Sequence, residues 1–193
     1  MRADEVGAAG STRSDWLGLG LDRGTVRLTP ARSEWGAIAE RLAAAIRKAL
    51  GERAVSVEHV GSTAVPGLAA KPIIDIAVGV SGEAGADAVR DRLEAVGFEF
   101  RGNAGDSGGL VFVLSARPQH RVAHVHVVEH GGSQWRRYLA FRDLLLEHES
   151  ARALYERTKS DLAARFRNDR NSYTNAKDEV VRSLLERYAA VGD

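Results

Sequence analysis

One aspartate interrupts an apolar run: residues 73–80 read IIDIAVGV, with Asp75 in third place. A carboxylate there is costly to bury without a partner, a metal or water, because apolar neighbours return none of the solvation its charge loses. Side chains along a strand alternate between its faces, so Ile74, Ile76, Val78 and Val80 fall on one side and Ile73, Asp75, Ala77 and Gly79 on the other. The pattern predicts a strand over 72–80 that packs its Ile/Val face on a core. Asp75 is then expected to look into an opening.

Upstream, residues 58–72 read EHVGSTAVPGLAAKP. Gly61 can take backbone angles closed to other residues, and Ser62 and Thr63 follow it at the exit of a strand expected over 55–60. Such a turn cradles a phosphate if the next segment is helical, through free amides and the helix dipole. Pro72 biases Lys71 toward an extended conformation, which brings its ammonium in beside the same turn. Cradle, cation and metal-binding carboxylate together outline a nucleotide site. The same residues also read as plain loop chemistry, with Asp75 paired to a nearby basic side chain.

At 193 residues the chain has length for one domain with a sizeable core. Charged residues are 27% and the formal net charge is +1, so no overall electrostatic term favours nucleic acid or an anionic membrane. With no cysteine, disulfides, thiolate nucleophiles and Cys-ligated zinc are excluded, and any metal must use carboxylates, histidines and water. No apolar run is long enough to span a bilayer, so a soluble, cytoplasmic protein is expected. Residues 1–23 lack a period and read as a flexible tail, with the patch 16–21 docking weakly.

From there a single domain is expected over 24–190, divided into an α/β core (24–130) and a helical part (134–190). A strand over 26–29 should end at Pro30, and Ser33 should cap a helix that runs to Gly51. A second helix is expected over 85–96, and short strands over 98–101, 110–114 and 121–128. The segment GNAGDSGG (102–109) reads as a lid or a long hairpin loop. Strands with helices first, then helices alone, predict an α+β fold: a mixed or antiparallel sheet with flanking helices and a three-helix C-terminal region.

The strand RVAHVHVV (121–128) sets His124 and His126 on one face, roughly 7 Å apart along the chain, a spacing for shared metal ligation, general-base work or ligand contact. As a metal centre the pair lacks a third ligand in sequence, which leaves a His-based metallohydrolase incomplete. Arg142 lies near an apolar helical stripe and either reaches toward the sheet or snorkels outward. Lys159, Arg170, Tyr173 and Lys177 could form a basic, hydroxyl-bearing surface on the last two helices.

Taken in order, GSTAVPGLAAKPIIDI, HVHV, the run of Trp135, Leu139, Phe141, Arg142 and Asp143, then Tyr155, Lys159, Tyr173, Thr174 and Lys177 resemble the GrpB-like family of the nucleotidyltransferase superfamily. The resemblance covers about residues 26–189. It implies a nucleotidyltransferase-like mixed-sheet core, with Gly61, Ser62 and Thr63 at nucleotide phosphates and Asp75 on the metal-binding strand. Members also occur fused to dephospho-coenzyme A kinase domains. The expected activity is binding of ATP or another nucleoside triphosphate with Mg²⁺, and transfer of a nucleotidyl group to, or adenylation of, a small-molecule acceptor. Catalytic roles are expected for Asp75, Lys71, His124 and His126, and nucleotide contacts for Gly61, Ser62, Thr63, Lys71, Arg142, Lys159, Tyr173 and Lys177. Two departures stand out. Ala77 occupies the place of a second acidic residue, which leaves His124, His126, Glu58 or Glu129 to complete a metal site; and Leu146 stands where a basic residue is common. A non-catalytic nucleotide- or coenzyme-binding module is the alternative.

Overall fold

The protein is described by a computed structural model that covers residues 6–7, 11–12, 16, 18–82, 86–103 and 109–189. Two short strands, β1 (Val6–Gly7) and β2 (Ser11–Thr12), pair with each other. The main sheet is built from β3 (Leu21–Asp22), β4 (Ala54–Val60), β5 (Ile74–Val80), β6 (Glu99–Asn103), β7 (Leu110–Arg117) and β8 (His120–Glu129). Its order is β4-β5-β8-β7-β6, with β3 added to β8. Among the described strands of this sheet only the central β5–β8 pair is parallel, which makes the sheet mixed. Helices α1 (Glu34–Leu50) and α2 (Ala86–Ala95) belong to the first half of the chain, and α3 (Ser133–Glu147), α4 (Glu149–Arg165) and α5 (Arg170–Ala189) to the second. This is the expected α+β order.

The alternation in β5 decides which face goes where. Ile74, Ile76 and Val78 are fully buried against α1 residues Trp35, Ile38, Leu42, Ile46 and Leu50 and against Phe112, Val125 and Val127. Each such side chain removed from water contributes about 1.5–3 kcal/mol, so this face pins the strand. On the other face Ala77 joins Val60, Val128 and Trp135 under α3. A third cluster wraps α3, α4 and α5 around Val65 and Leu68, so the segment after β4 is clamped by the C-terminal helices.

Several expectations change. No strand forms over 26–29; Thr29 makes a single bridge to Ala70, and the Val26 amide donates to the Arg167 carbonyl, because the segment runs beside loops rather than along a free sheet edge. Ser33 does not cap α1; its backbone is already helical and its hydroxyl turns to Glu34. The described residues of the patch at 16–21 dock firmly: Trp16 and Leu19 are buried in the main core, and Leu21 is buried and pairs with Arg121. The centre of the expected lid, 104–108, lies outside the described residues, as do 1–5, 8–10, 13–15 and 17 of the expected tail. Among the described residues, no helix is long and apolar enough to cross a membrane.

Candidate functional site

Parallel pairing of β5 with β8 places Asp75 directly beside His124 and Ala77 beside His126. Antiparallel pairing with β4 sets Val60 against Asp75, so the turn that follows β4 folds back over the carboxylate. Gly61 makes this possible. Its φ is 72° and ψ −169°, and a Cβ built there would lie 2.9 Å from Asp75 Oδ2. Asp75 thus faces the Gly61–Ser62 bend, as its place in the strand predicts, and its side chain keeps 32% of its exposure.

These residues open into a cavity of about 410 Å³, within the range of small-molecule sites. Gly61, Ser62 and Thr63 line it from the turn, Lys71 and Asp75 from the approach to β5 and from β5 itself, and His124 and His126 from β8. Arg137 and Tyr138 come from α3, Tyr155 and Lys159 from α4, and Arg170, Tyr173, Lys177 and Asp178 from α5. Five cationic side chains (Lys71, Arg137, Lys159, Arg170, Lys177) therefore face two carboxylates (Asp75, Asp178). A cavity so lined favours an anion with several charges.

The polar contacts at its floor define charge states. Burial pushes the Asp75 carboxyl up, but the hydrogen bond from His124 and the nearby His126 outweigh it and hold the group well below the ordinary carboxylate range. Burial drives His124 the other way, to a pKa below the usual imidazole value despite Asp75. An ionised carboxylate can only accept, so His124 Nδ1–H donates to Asp75 Oδ1 at 3.1 Å, and Nε2 accepts from Arg170 at 3.4 Å. His126 Nε2 lies 3.7 Å from the same Oδ1, while its Nδ1 is buried without a hydrogen-bond partner among the described residues.

Lys159 is not on a solvated surface. It is 2% exposed; its ammonium donates to the Ala69 carbonyl at 2.6 Å and Ser62 Oγ at 3.2 Å and lies 4.6 Å from the Tyr155 ring centre. Burial, then repulsion from Lys177, lowers its pKa to about 7. Lys71 sits 4.8 Å over the Tyr173 ring, and burial and Lys177 lower it to about 8. Lys177 goes up: burial opposes its charge, but Tyr155, Asp178, Asp75 and Tyr173 outweigh that. The basic group expected on the last two helices is thus a cavity wall.

Three expectations fare differently. Ser62–Ala64 form a single 3₁₀ turn whose Ala64 and Val65 amides bond within the turn, so no helix dipole supports a phosphate there. Thr63 lines the cavity but is buried, with its hydroxyl 2.9 Å from His59 Nε2. Arg142 is absent from the cavity wall; it reaches Glu58 at 3.0 Å, Asp143 at 2.8 Å and the His59 carbonyl at 3.3 Å. This also occupies Glu58, and the acid–histidine cluster formed among the described residues is Asp75, His124 and His126, without Glu58 or Glu129. Leu146 is 43% exposed and lies apart from the cavity lining, so its departure from the basic pattern leaves the wall unchanged. Arg142→Gln is expected to lower stability by about 1 kcal/mol through the lost charged hydrogen bonds and to leave ligand affinity within about twofold; denaturation and calorimetry on the same sample check both. Arg137, Tyr138 and Asp178 carry no motif in the sequence. Only the docking of α3 on the sheet and of α5 against α3 and α4 brings them in.

Comparisons with known proteins agree on one relationship. A sequence model of the family described as GrpB protein matches residues 25–187. A UPF0157 protein of Pseudomonas aeruginosa is 40% identical over 91% of this chain and 72% of its own length. The glutamate-rich protein GrpB of Alkalihalophilus pseudofirmus is 32% identical over 86% of this chain and 98% of its own. The crystal structure of GrpB from Enterococcus faecalis superposes with a TM-score of 0.73 at 32% identity, covering 84% of this chain and 99% of that one.

Proposed function

This chain belongs to the GrpB family, and on that premise we propose that it binds a nucleoside triphosphate in the cationic cavity and transfers a nucleotidyl group to a small-molecule acceptor. The observation that carries the reading is the convergence of Lys71, Lys159, Arg170 and Lys177 on one cavity around the Gly61–Ser62 bend and Asp75. Phosphates lie toward the bend, where Gly61 lacks the Cβ that would fill the approach to Asp75. Lys71, Arg170 and Lys177 neutralise charge that develops on the phosphates, which in a half-enclosed site is worth more than in water. Lys159 fixes the bend by its bond to Ser62, and His124 and His126 fix the carboxylate. In the transfer, an acceptor oxygen or nitrogen bonds to the α-phosphorus and the bond to the bridging oxygen breaks. Pyrophosphate leaves with the electron pair, and the acceptor proton passes to water.

Magnesium, the ion such transfers commonly use, prefers an octahedral shell of oxygens. Two of the three donors gathered here are imidazole nitrogens. The set does not fit Mg²⁺ as a resident ion, and neutralisation falls to the lysines and arginine.

A second reading, a nucleotide- or coenzyme-binding module without turnover, is favoured by Ala77. It is fully buried with Val60, Val128 and Trp135, so no second carboxylate could occupy that place without repacking α3. Titration calorimetry with ATP and the other triphosphates tests binding, and a pyrophosphate-release assay over a set of acceptors tests turnover. Saturable binding is expected, weakened about 10- to 100-fold in Arg170→Ala or Lys177→Ala, the scale of a charged hydrogen bond. Absence of binding to any triphosphate, or unchanged affinity in both variants, would overturn the proposal. Binding without pyrophosphate release under any acceptor would leave the module.

A further inference from the structure

Resting on that reading of the cavity but not on its nucleotide, we propose that Asp75, His124 and His126 form a binding site for a transition metal of the zinc and manganese class. Asp75 Oδ1 lies 3.1 Å from His124 Nδ1 and 3.7 Å from His126 Nε2, and no two of the three donor atoms are further apart than 4.8 Å. Donors bound at about 2.1 Å in a tetrahedral or octahedral shell sit roughly 3 to 3.5 Å from one another. Two of the three spacings are already close to that, so a modest closure of the two rings completes the set.

The register explains why this arrangement is durable. Asp75 and His124 are direct partners on paired parallel strands, and His126 follows two residues on, on the same face. All three side chains are partly exposed to the cavity, at 32%, 13% and 22%, so an ion has an entry path. Three protein ligands leave at least one position open, the form expected of a metal that also meets a ligand. Imidazole suits Zn²⁺ or Fe²⁺, the carboxylate also suits Mn²⁺, and a set of donors that is two-thirds imidazole does not suit Mg²⁺.

Metal binding also changes what surrounds it. For His124 to ligate through Nδ1, its hydrogen must move to Nε2, through solvent. Nε2 then ceases to accept from Arg170, whose contact with it is 3.4 Å. The guanidinium is then released from the ring within the cavity it already lines, where it can meet an anion. Metal loading is therefore expected to tighten binding of an anionic ligand in wild type, and to do so less in Arg170→Ala.

Protein stripped by a chelator and titrated by calorimetry with each metal alone, without nucleotide, provides the test. The expected result is one equivalent of Zn²⁺ or Mn²⁺ bound at least about 100-fold more tightly than Mg²⁺, with loss of 10- to 100-fold or more in His126→Gln or His124→Gln, since even altered outer partners cost that much. Folding of both variants is checked by circular dichroism. Wild-type protein loaded with Co²⁺ supplies a readout that needs no variant, a visible spectrum characteristic of histidine nitrogen ligation that Zn²⁺ abolishes and excess Mg²⁺ does not. His120→Ala serves as a control, because His120 pairs with Asp22 away from the cavity lining. Equal affinity for Zn²⁺ and Mg²⁺, Zn²⁺ binding unchanged in both cavity variants, or loss in the His120 variant alone would overturn the proposal. A failed nucleotide titration would leave these results untouched, because no nucleotide is present in them.

Discussion

Gly61→Ala is expected to destabilise the protein by about 2–3 kcal/mol and to remove ligand binding, the first from strain and the second from a displaced carboxylate. At φ 72° and ψ −169° the backbone is in a region essentially reserved for glycine. The added methyl would meet Asp75 at three points, Oδ2 at 2.9 Å, Cβ at 3.2 Å and Cγ at 3.4 Å. Asp75 has little room to retreat, since His124 holds its Oδ1 at 3.1 Å and β5 is bonded on both sides. Gly67 separates the two effects. It also has a positive φ, 79°, but a Cβ there meets no atom of the described residues within 4 Å. Chemical denaturation of Gly61→Ala and Gly67→Ala, with ligand and metal titrations of each, should show strain in both and loss of binding in the first alone. Equal behaviour of the two variants would refute the assignment of Gly61 to the site.

Lys159→Met is expected to flatten a pH dependence of stability that the wild type shows above neutrality. The folded-state pKa is about 7 against an ordinary 10.5, lowered first by burial and then by Lys177. Between these values the unfolded chain binds more protons than the native one, so stability rises with pH across the window; below about pH 7 both states are protonated and the penalty of a buried charge is fully present. The full span corresponds to an upper bound on the order of 5 kcal/mol. Lys71, lowered to about 8, contributes in the same direction. The difference between wild type and Lys159→Met therefore isolates Lys159, and urea denaturation from about pH 6 to about pH 9.5 measures it. A parallel pair of profiles would show that Lys159 is not charged at the cost its burial implies. Methionine fills the volume of the stem but makes neither bond of Nζ, so the Gly61–Ser62 bend should also loosen, read as weaker ligand binding at a pH where both proteins are folded.

Local rules made much of this legible in the chain. The period of two in IIDIAVGV puts the isoleucines on the core and Asp75 on the other side, and the same period puts His124 and His126 together. Gly61 announces a special backbone because only glycine visits it at no steric cost. The helices from 134 onward follow from their spacing, and the mixed α+β architecture from the order of elements. Motif resemblance supplied the family, which sequence and structural relatives then bore out.

What the sequence left apart, tertiary structure joined. As a metal centre His124 and His126 lacked a third ligand in sequence, and Asp75 stands 49 residues before His124. Strand order supplies that ligand, since β5 pairs in parallel with β8 across everything between them. The same holds for Lys159 and Arg142, one drawn into the interior by Ser62 and Ala69, the other drawn away from the cavity by Glu58 and Asp143. Alternation and turn chemistry are properties of neighbours along the chain and survive in the sequence alone. Which strands lie side by side, and which charge a buried side chain meets, depends on long-range packing that balances desolvation against pairing, and only the folded molecule decides it.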